Sequence, residues 1–219
     1  FIDFRNGVLP SISVKNSTFS MCARTFFRIS DNADCGDVLV ENCTFNMVTA
    51  TATSSNNAGI FGIRTKTTPT SIVCKNNVFL NEISDGEDQS DASKCFVRLV
   101  RNSSDTNAPA CSGNYFFNVG AGWFVSAATD IAGGAFSEAA ALAEGGQILT
   151  EDPCVNSLAN KLYLNTTSDI SAKKVGDPRW WNAQQPIVVR ATELTLESEP
   201  RVWDFTTKSK FDTESLVKP

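Results

Sequence analysis

The chain has 219 residues, 42% of them apolar, with a formal net charge of −5 and a sequence pI of about 4.8, so it can bury a core but offers no basic stripe for nucleic acid. It contains no His, which removes His-based triads, His metal sites and His proton shuttles together. Fifteen Phe against two Tyr suit an interior of stacked aromatic rings, because Phe brings no hydroxyl that needs a partner.

The chain opens at Phe1 inside a strand-like stretch, without Met, and no signal peptide or membrane span is visible. The expectation is a fragment of a longer protein whose targeting segment lies upstream. From residue 8 onward a repeat sets the architecture. Val14-Lys15-Asn16-Ser17-Thr18-Phe19 aligns with Val40-Glu41-Asn42-Cys43-Thr44-Phe45, with Cys74-Lys75-Asn76-Asn77-Val78-Phe79 and with Cys111-Ser112-Gly113-Asn114-Tyr115-Phe116. An apolar first residue and the Phe recur in all four, and Gly113 stands where the others have Asn.

A second apolar strand follows each motif: Thr25 to Ile29, Gly59 to Ile63, Lys94 to Leu99 and Gly122 to Val125. Polar stretches rich in Asn, Ser, Asp and Thr separate them, so each repeat reads as strand, tight turn, strand and variable loop. The Phe-to-Phe spacings of 26, 34 and 37 residues fit a regular core with loops of growing length. No unit has a 3.6-residue apolar period, which excludes helical repeats. Short β-branched and aromatic strands with Asn or Gly turns predict a β-solenoid.

A single turn of such a solenoid cannot bury its inner face. Stacking turns about 4.8 Å apart does so, and it aligns equivalent side chains. Phe19, Phe45, Phe79 and Phe116 are expected to form one internal stack, and Val14, Val40, Cys74 and Cys111 another. Asn16, Asn42 and Asn76 are expected to form a structural amide ladder at the turn.

Beyond residue 130, Ser137 to Glu144 followed by Gly145-Gly146 reads as a short helix with Ser137 as N-cap. It is expected to cover an open end of the stack, where bare strand edges invite aggregation. Leu158 to Leu164 reads as a last strand. Gly176-Asp177-Pro178-Arg179-Trp180-Trp181 is a turn leading to aromatics, and Val202-Trp203-Asp204-Phe205-Thr206 opens a new apolar segment. The division expected is residues 1–178 as the solenoid and 179–219 as docking strands plus the truncated start of another module. The seven Cys contain no CxxC pair, which argues against a zinc ribbon or a thioredoxin-type site. Their odd number forbids complete internal pairing, so they are mostly free core thiols, or some form one or more disulfides.

The Asn-x-x-Phe repeats, the stretch from Asp152-Pro153 through Leu162-Tyr163-Leu164 and the Gly-Asp-Pro-Arg-Trp at 176–180 together resemble secreted pectate-lyase-like proteins of Bacteroidetes. The Trp-Asp-Phe-Thr at 203–206 is similar to the opening of an accessory module in multidomain members. The resemblance covers roughly residues 8 to 206 and implies an all-β, right-handed parallel β-helix of about four to five coils. It also implies a secreted or cell-surface location and an acidic, uronate-containing polysaccharide as partner. It is weak for activity, since one fold hosts many functions. Lyases of this family hold Ca²⁺ with outer-face carboxylates and use Arg or Lys as base, but no complete catalytic set is legible here. A non-catalytic glycan-binding module and a structural spacer remain the alternatives.

Three candidate sites follow from the residues. If Phe27, Phe61 and Val97 align inward, Arg28, Gly62 and Arg98 share an outward column, with the two Arg about 9.5 Å apart. That spacing suits successive sugar carboxylates, which Arg binds in bidentate fashion; the alternative is two solvated charges. Asp85, Glu87, Asp88 and Asp91 form an acidic loop able to offer Ca²⁺ ligands, or a plain solvated loop. Trp180 and Trp181 offer a platform for sugar rings, or dock against the solenoid.

Overall fold

The structure, a computed structural model, describes residues 1–22, 25–50, 58–63, 71–83, 94–99, 109–124 and 136–181. The chain divides into two compact units, Phe1–Ala183 and Gln184–Pro219. Every described residue belongs to the first, which therefore runs past residue 178.

Strands dominate. In chain order they are β1 (Ile2–Lys15), β2 (Thr18–Ser20), β3 (Phe27–Glu41), β4 (Thr44–Asn46), β5 (Ala58–Ile63), β6 (Ser71–Lys75) and β7 (Val78–Leu80). They continue with β8 (Lys94–Leu99), β9 (Ala110–Ser112), β10 (Tyr115–Phe117), β11 (Gln147–Leu149), β12 (Cys154–Asn156) and β13 (Lys161–Leu164). One sheet runs β8-β5-β3-β6-β9 with β1 also on β3, and a second runs β11-β10-β7-β4-β2. Every pairing in these two sheets is parallel. The small third sheet, β12 with β13, is antiparallel.

The repeats lie over one another in register. Phe19 pairs with Phe45, Phe45 with Phe79 and Phe79 with Phe116. Their rings stack with centroids 5.4, 4.8 and 5.2 Å apart. The second column runs Val14, Val40, Cys74, Cys111 through β1, β3, β6 and β9. Period-2 alternation decides which face is buried: in β6, Ile72 and Cys74 are buried while Ser71, Val73 and Lys75 are half-exposed. Both columns belong to one core, which also takes in Phe26, Phe61, Phe96, Trp123 and Phe124.

The tight turns hold because Asn16, Asn42 and Asn76 sit at φ of 50°, 52° and 55°, and Gly113 at 58°. This is the left-handed region that Asn and Gly tolerate best. Gly113 is further constrained, since a Cβ there would lie 2.6 Å from Asn76 Oδ1. A second left-handed column, not anticipated from sequence, follows the short strands at Met21, Met47, Asn81 and Asn118.

The amide ladder differs from the one expected. No side-chain hydrogen bond links Asn16, Asn42 and Asn76, whose contribution is backbone conformation. The ladders use other positions. Asn77 Oδ1 accepts from Cys43 N–H at 2.8 Å, and Asn114 Oδ1 from Asn77 N–H at 3.0 Å. In the second column Asn81 donates to Asn46 at 3.0 Å and Asn118 to Asn81 at 3.1 Å. The reason is burial: Asn46, Asn77, Asn81 and Asn114 are fully enclosed, so their amides must find partners inside the protein.

Two further expectations change. The polar stretch 30–37 is not a loop but the middle of β3. β1 runs beside it and pairs it nearly residue by residue, from Asn6 with Asn32 to Ser11 with Asp37, while Ala33 and Cys35 turn inward and are buried. The expected strand at 122–125 is instead a 3₁₀ turn over Ala121–Phe124, entered through Gly120 at φ 70°. It puts both Trp123 and Phe124 into the core.

The predicted helix is present as α1 (Glu138–Ala141), and Ser137 caps it by accepting from Ala140 N–H at 3.2 Å. It packs on β9, with Ala141 in the core. The expected strand from 158 begins later, as β13; Ser157 to Asn160 is the turn of its hairpin, with Asn160 at φ 56°.

Candidate functional site

The outward column lies on the strands of the first sheet. Asp3 of β1 pairs with Arg28 of β3, Arg28 with Gly62 of β5, and Gly62 with Arg98 of β8. The flanking residues Phe27, Phe61 and Val97 are buried, so alternation turns Arg28 outward. Its side chain is 23% exposed. The backbone of Arg98 has the register expected, about two strand spacings (~9.6 Å) from Arg28. Gly62 between them has no side chain, and the Thr25 methyl fills the space where a Cβ would stand, 2.7 Å from that position.

Charge is unevenly shared in this column. Arg5 grips Asp3 through Nε at 2.9 Å and Nη2 at 2.7 Å. Arg28 Nη1 stands farther off, at 3.8 Å. The Arg5 hydrogen bonds lower the Asp3 carboxyl pKa, with a smaller contribution from the Arg28 charge, against the raising effect of burial. Two guanidinium groups thus share one carboxylate, and Arg28 Nε is buried with no hydrogen-bond partner. The part of Arg28 open to solvent can still meet an anion, because the 3.8 Å ion pair to Asp3 is loose.

The lower half of the same sheet is self-contained. Glu41 lies between Lys15 at 3.0 Å and Lys75 at 2.9 Å, and hydrogen bonds from Lys75 and then Lys15 hold its carboxyl below the usual range.

Trp180 and Trp181 lie elsewhere, in a clasp over the second sheet. Gly176 N–H donates to Asn76 O at 2.8 Å, and Asp177 N–H donates to Thr44 Oγ1 at 3.0 Å. Asp177 is 1% exposed and accepts from Thr18 Oγ1 at 2.7 Å and from the backbone and side chain of Arg179. Burial alone would raise this carboxyl, but the hydrogen bonds from Arg179 and Thr18 hold it below its ordinary value. Trp180 Nε1 donates to Thr18 Oγ1 at 2.6 Å, and its ring meets Tyr163 edge-on at 5.0 Å. Trp181 Nε1 donates to Val175 O at 2.8 Å. Both indoles are half-buried against the apolar cluster of Val78, Leu80 and Leu162. The structure therefore docks the pair and does not bring it together with Arg28.

Asp85, Glu87, Asp88 and Asp91 lie outside the described residues. Among the described residues no group of three or more Cys, Asp or Glu is placed to hold a metal ion, and no helix is long and apolar enough to cross a membrane. A polar recess of about 300 Å³ is lined by Thr150, Glu151, Asp152, Asn165, Ser168 and Asp169. Asp152 is already occupied, accepting from Cys154 N–H, Ser157 N–H and Ser157 Oγ.

One buried ionisable group escaped the sequence reading. Glu82 is completely enclosed. Its Oε2 accepts from Thr49 N–H at 2.7 Å and lies 2.8 Å from Thr49 Oγ1, and Trp123 Nε1 donates to the same hydroxyl at 3.3 Å. Glu82 Oε1 has no partner. Burial pushes this carboxyl up to about 7, with the Thr49 hydrogen bonds opposing. The signal was present: three residues after each repeat Phe stand Cys22, Val48, Glu82 and Val119, so a Glu occupies an otherwise apolar column.

No family model, curated protein or solved structure matches this chain.

Proposed function

We propose that the chain is a run of turns from a right-handed parallel β-helix of pectate-lyase-like type, belonging to a secreted or cell-surface bacterial protein that binds acidic polysaccharide. The observation that supports this reading best is the outward register Arg28, Gly62, Arg98, with Arg28 half-open and only loosely paired with Asp3. Two Arg on alternate turns match carboxylates along a uronate chain. The role assigned is binding. A base for proton abstraction is not assigned, and neither is a Ca²⁺ site; calorimetric titration with Ca²⁺ tests the loop from Asp85 to Asp91.

The test is affinity for oligogalacturonides in wild type and in Arg28→Ala with Arg98→Ala. The double variant is expected to bind at least about tenfold more weakly, the loss of one charge-assisted contact or more. Equal affinities overturn the reading. Absorbance from unsaturated uronate ends during incubation with pectins, with and without Ca²⁺, separates a lyase from a binding module. The second reading, a structural spacer, is favoured by the clasp, because both indole N–H groups are already used internally.

A further inference from the structure

Among the described thiols, Cys74 and Cys111 alone are register neighbours. β6 and β9 run parallel with Cys74 opposite Cys111, at the core-facing positions that Val14 and Val40 occupy on the preceding repeats. Both are buried, at 0% and 6% exposure, and both are unoxidised in this structure. Neighbours on adjacent parallel strands have Cα atoms about 4.8 Å apart, within the roughly 4.4–6.8 Å window of a disulfide. Side chains on one face of a sheet point the same way, so the two Cβ atoms stand about 4.8 Å apart, and the edge strand β9 must move in by a few tenths of an ångström to reach the roughly 3.5–4.5 Å of a disulfide.

The other described thiols have no such partner. Cys35 pairs with Leu9, Cys154 with Leu164, and the Cys43 thiol donates to Val14 O and Glu41 O. Burial, and after it the adjacent Cys111 thiol, pushes the Cys74 thiol well above its ordinary range, so attack by Cys74 is slow and proximity must drive it.

We propose that Cys74 and Cys111 form a dithiol that oxidises to a disulfide, clamping the third repeat to the fourth. With a small disulfide such as oxidised glutathione as oxidant, local opening of the edge strand β9 exposes Cys111, which loses its proton, and its thiolate attacks one glutathione sulfur. One glutathione thiolate leaves and a mixed disulfide remains. Cys74 then loses its proton, attacks Cys111 Sγ and expels the second glutathione. Two protein thiols and one oxidised glutathione become one internal disulfide and two reduced glutathione molecules.

The experiment equilibrates the full chain in glutathione buffers from reducing to oxidising, followed by acid quenching, alkylation and peptide mapping. Two alkylatable thiols should disappear together, the protein mass should fall by about 2 Da, and a dithiothreitol-reversible cross-link should join the Cys74 and Cys111 peptides. The thermal midpoint should rise by about 5–15 °C. Cys74→Val, which restores the residue type of Val14 and Val40, should fold normally and abolish the cross-link. Full alkylation of both thiols under oxidising conditions, arrest as a glutathione adduct on Cys111, or cross-links confined to other cysteines would each overturn the proposal.

Discussion

At the scale of single residues, buried polar groups set the conditions under which the fold is stable. Glu82 titrates at about 7 when folded, against 4.5 as its ordinary value. Between these pH values the folded chain holds a proton that the unfolded chain has released, so stability falls as pH rises and levels off above 7. The expected loss is about 3 kcal/mol across that window. Glu82→Gln keeps an acceptor for Thr49 N–H and cannot ionise, so urea denaturation at pH 5 and pH 8.5 should show the variant losing most of this pH dependence. An unchanged slope would place the titration on another group. The asparagines teach a related lesson. Their recurrence marked the turns, but the buried members of the set make the ladders while the repeat Asn supplies backbone conformation. Sequence spacing finds the turn; enclosure decides which amide must be bonded.

At the scale of elements, the long strands and the clasp depend on partners distant in sequence. Residues 30–37 read as a loop because their composition is polar, yet β1 supplies a pairing edge along most of β3, and pairing overrides propensity. The clasp is legible as a motif, Gly-Asp-Pro-Arg-Trp, but its target is not. Gly176 has φ 73°, and a Cβ there would stand 2.8 Å from Thr44 Oγ1 and 2.9 Å from Val78 Cγ2. Gly176→Ala should therefore loosen the clasp at a cost of about 1–3 kcal/mol. Asp177→Ala strands Thr18 and Arg179 and should cost a similar ~1–3 kcal/mol. Limited proteolysis after Arg179 and thermal melting measure both; cleavage no faster than in wild type would show that Asp177 does not hold the segment down.

At the scale of the molecule, the stacked phenylalanines make stability depend on position along the stack. Phe79 has ring contacts with Phe45, Phe96, Phe116 and Trp123 and is fully buried, whereas Phe19 is 9% exposed on the terminal strand β2. Phe79→Ala should cost about 3–5 kcal/mol, and Phe19→Ala clearly less, read from denaturant midpoints; equal costs would mean that the rings do not act as one stack. The two ends differ as well. At one end α1 packs on β9, while at the other Phe1, Val8 and Met21 are 75%, 73% and 61% exposed. The repeat of apolar residue, Asn or Gly turn, and Phe determined by itself the parallel register and both core columns, and the alternation of the second strands determined the outward placement of Arg28, because a period-2 strand stacked on its own equivalents leaves one arrangement that buries the four repeat Phe. Tertiary structure alone decided that a polar stretch would be strand, that Trp180 and Trp181 would dock with their N–H groups satisfied, and that Glu82 would be sealed in the core. Those outcomes depend on which distant backbone or side chain arrives alongside, and local composition does not encode that.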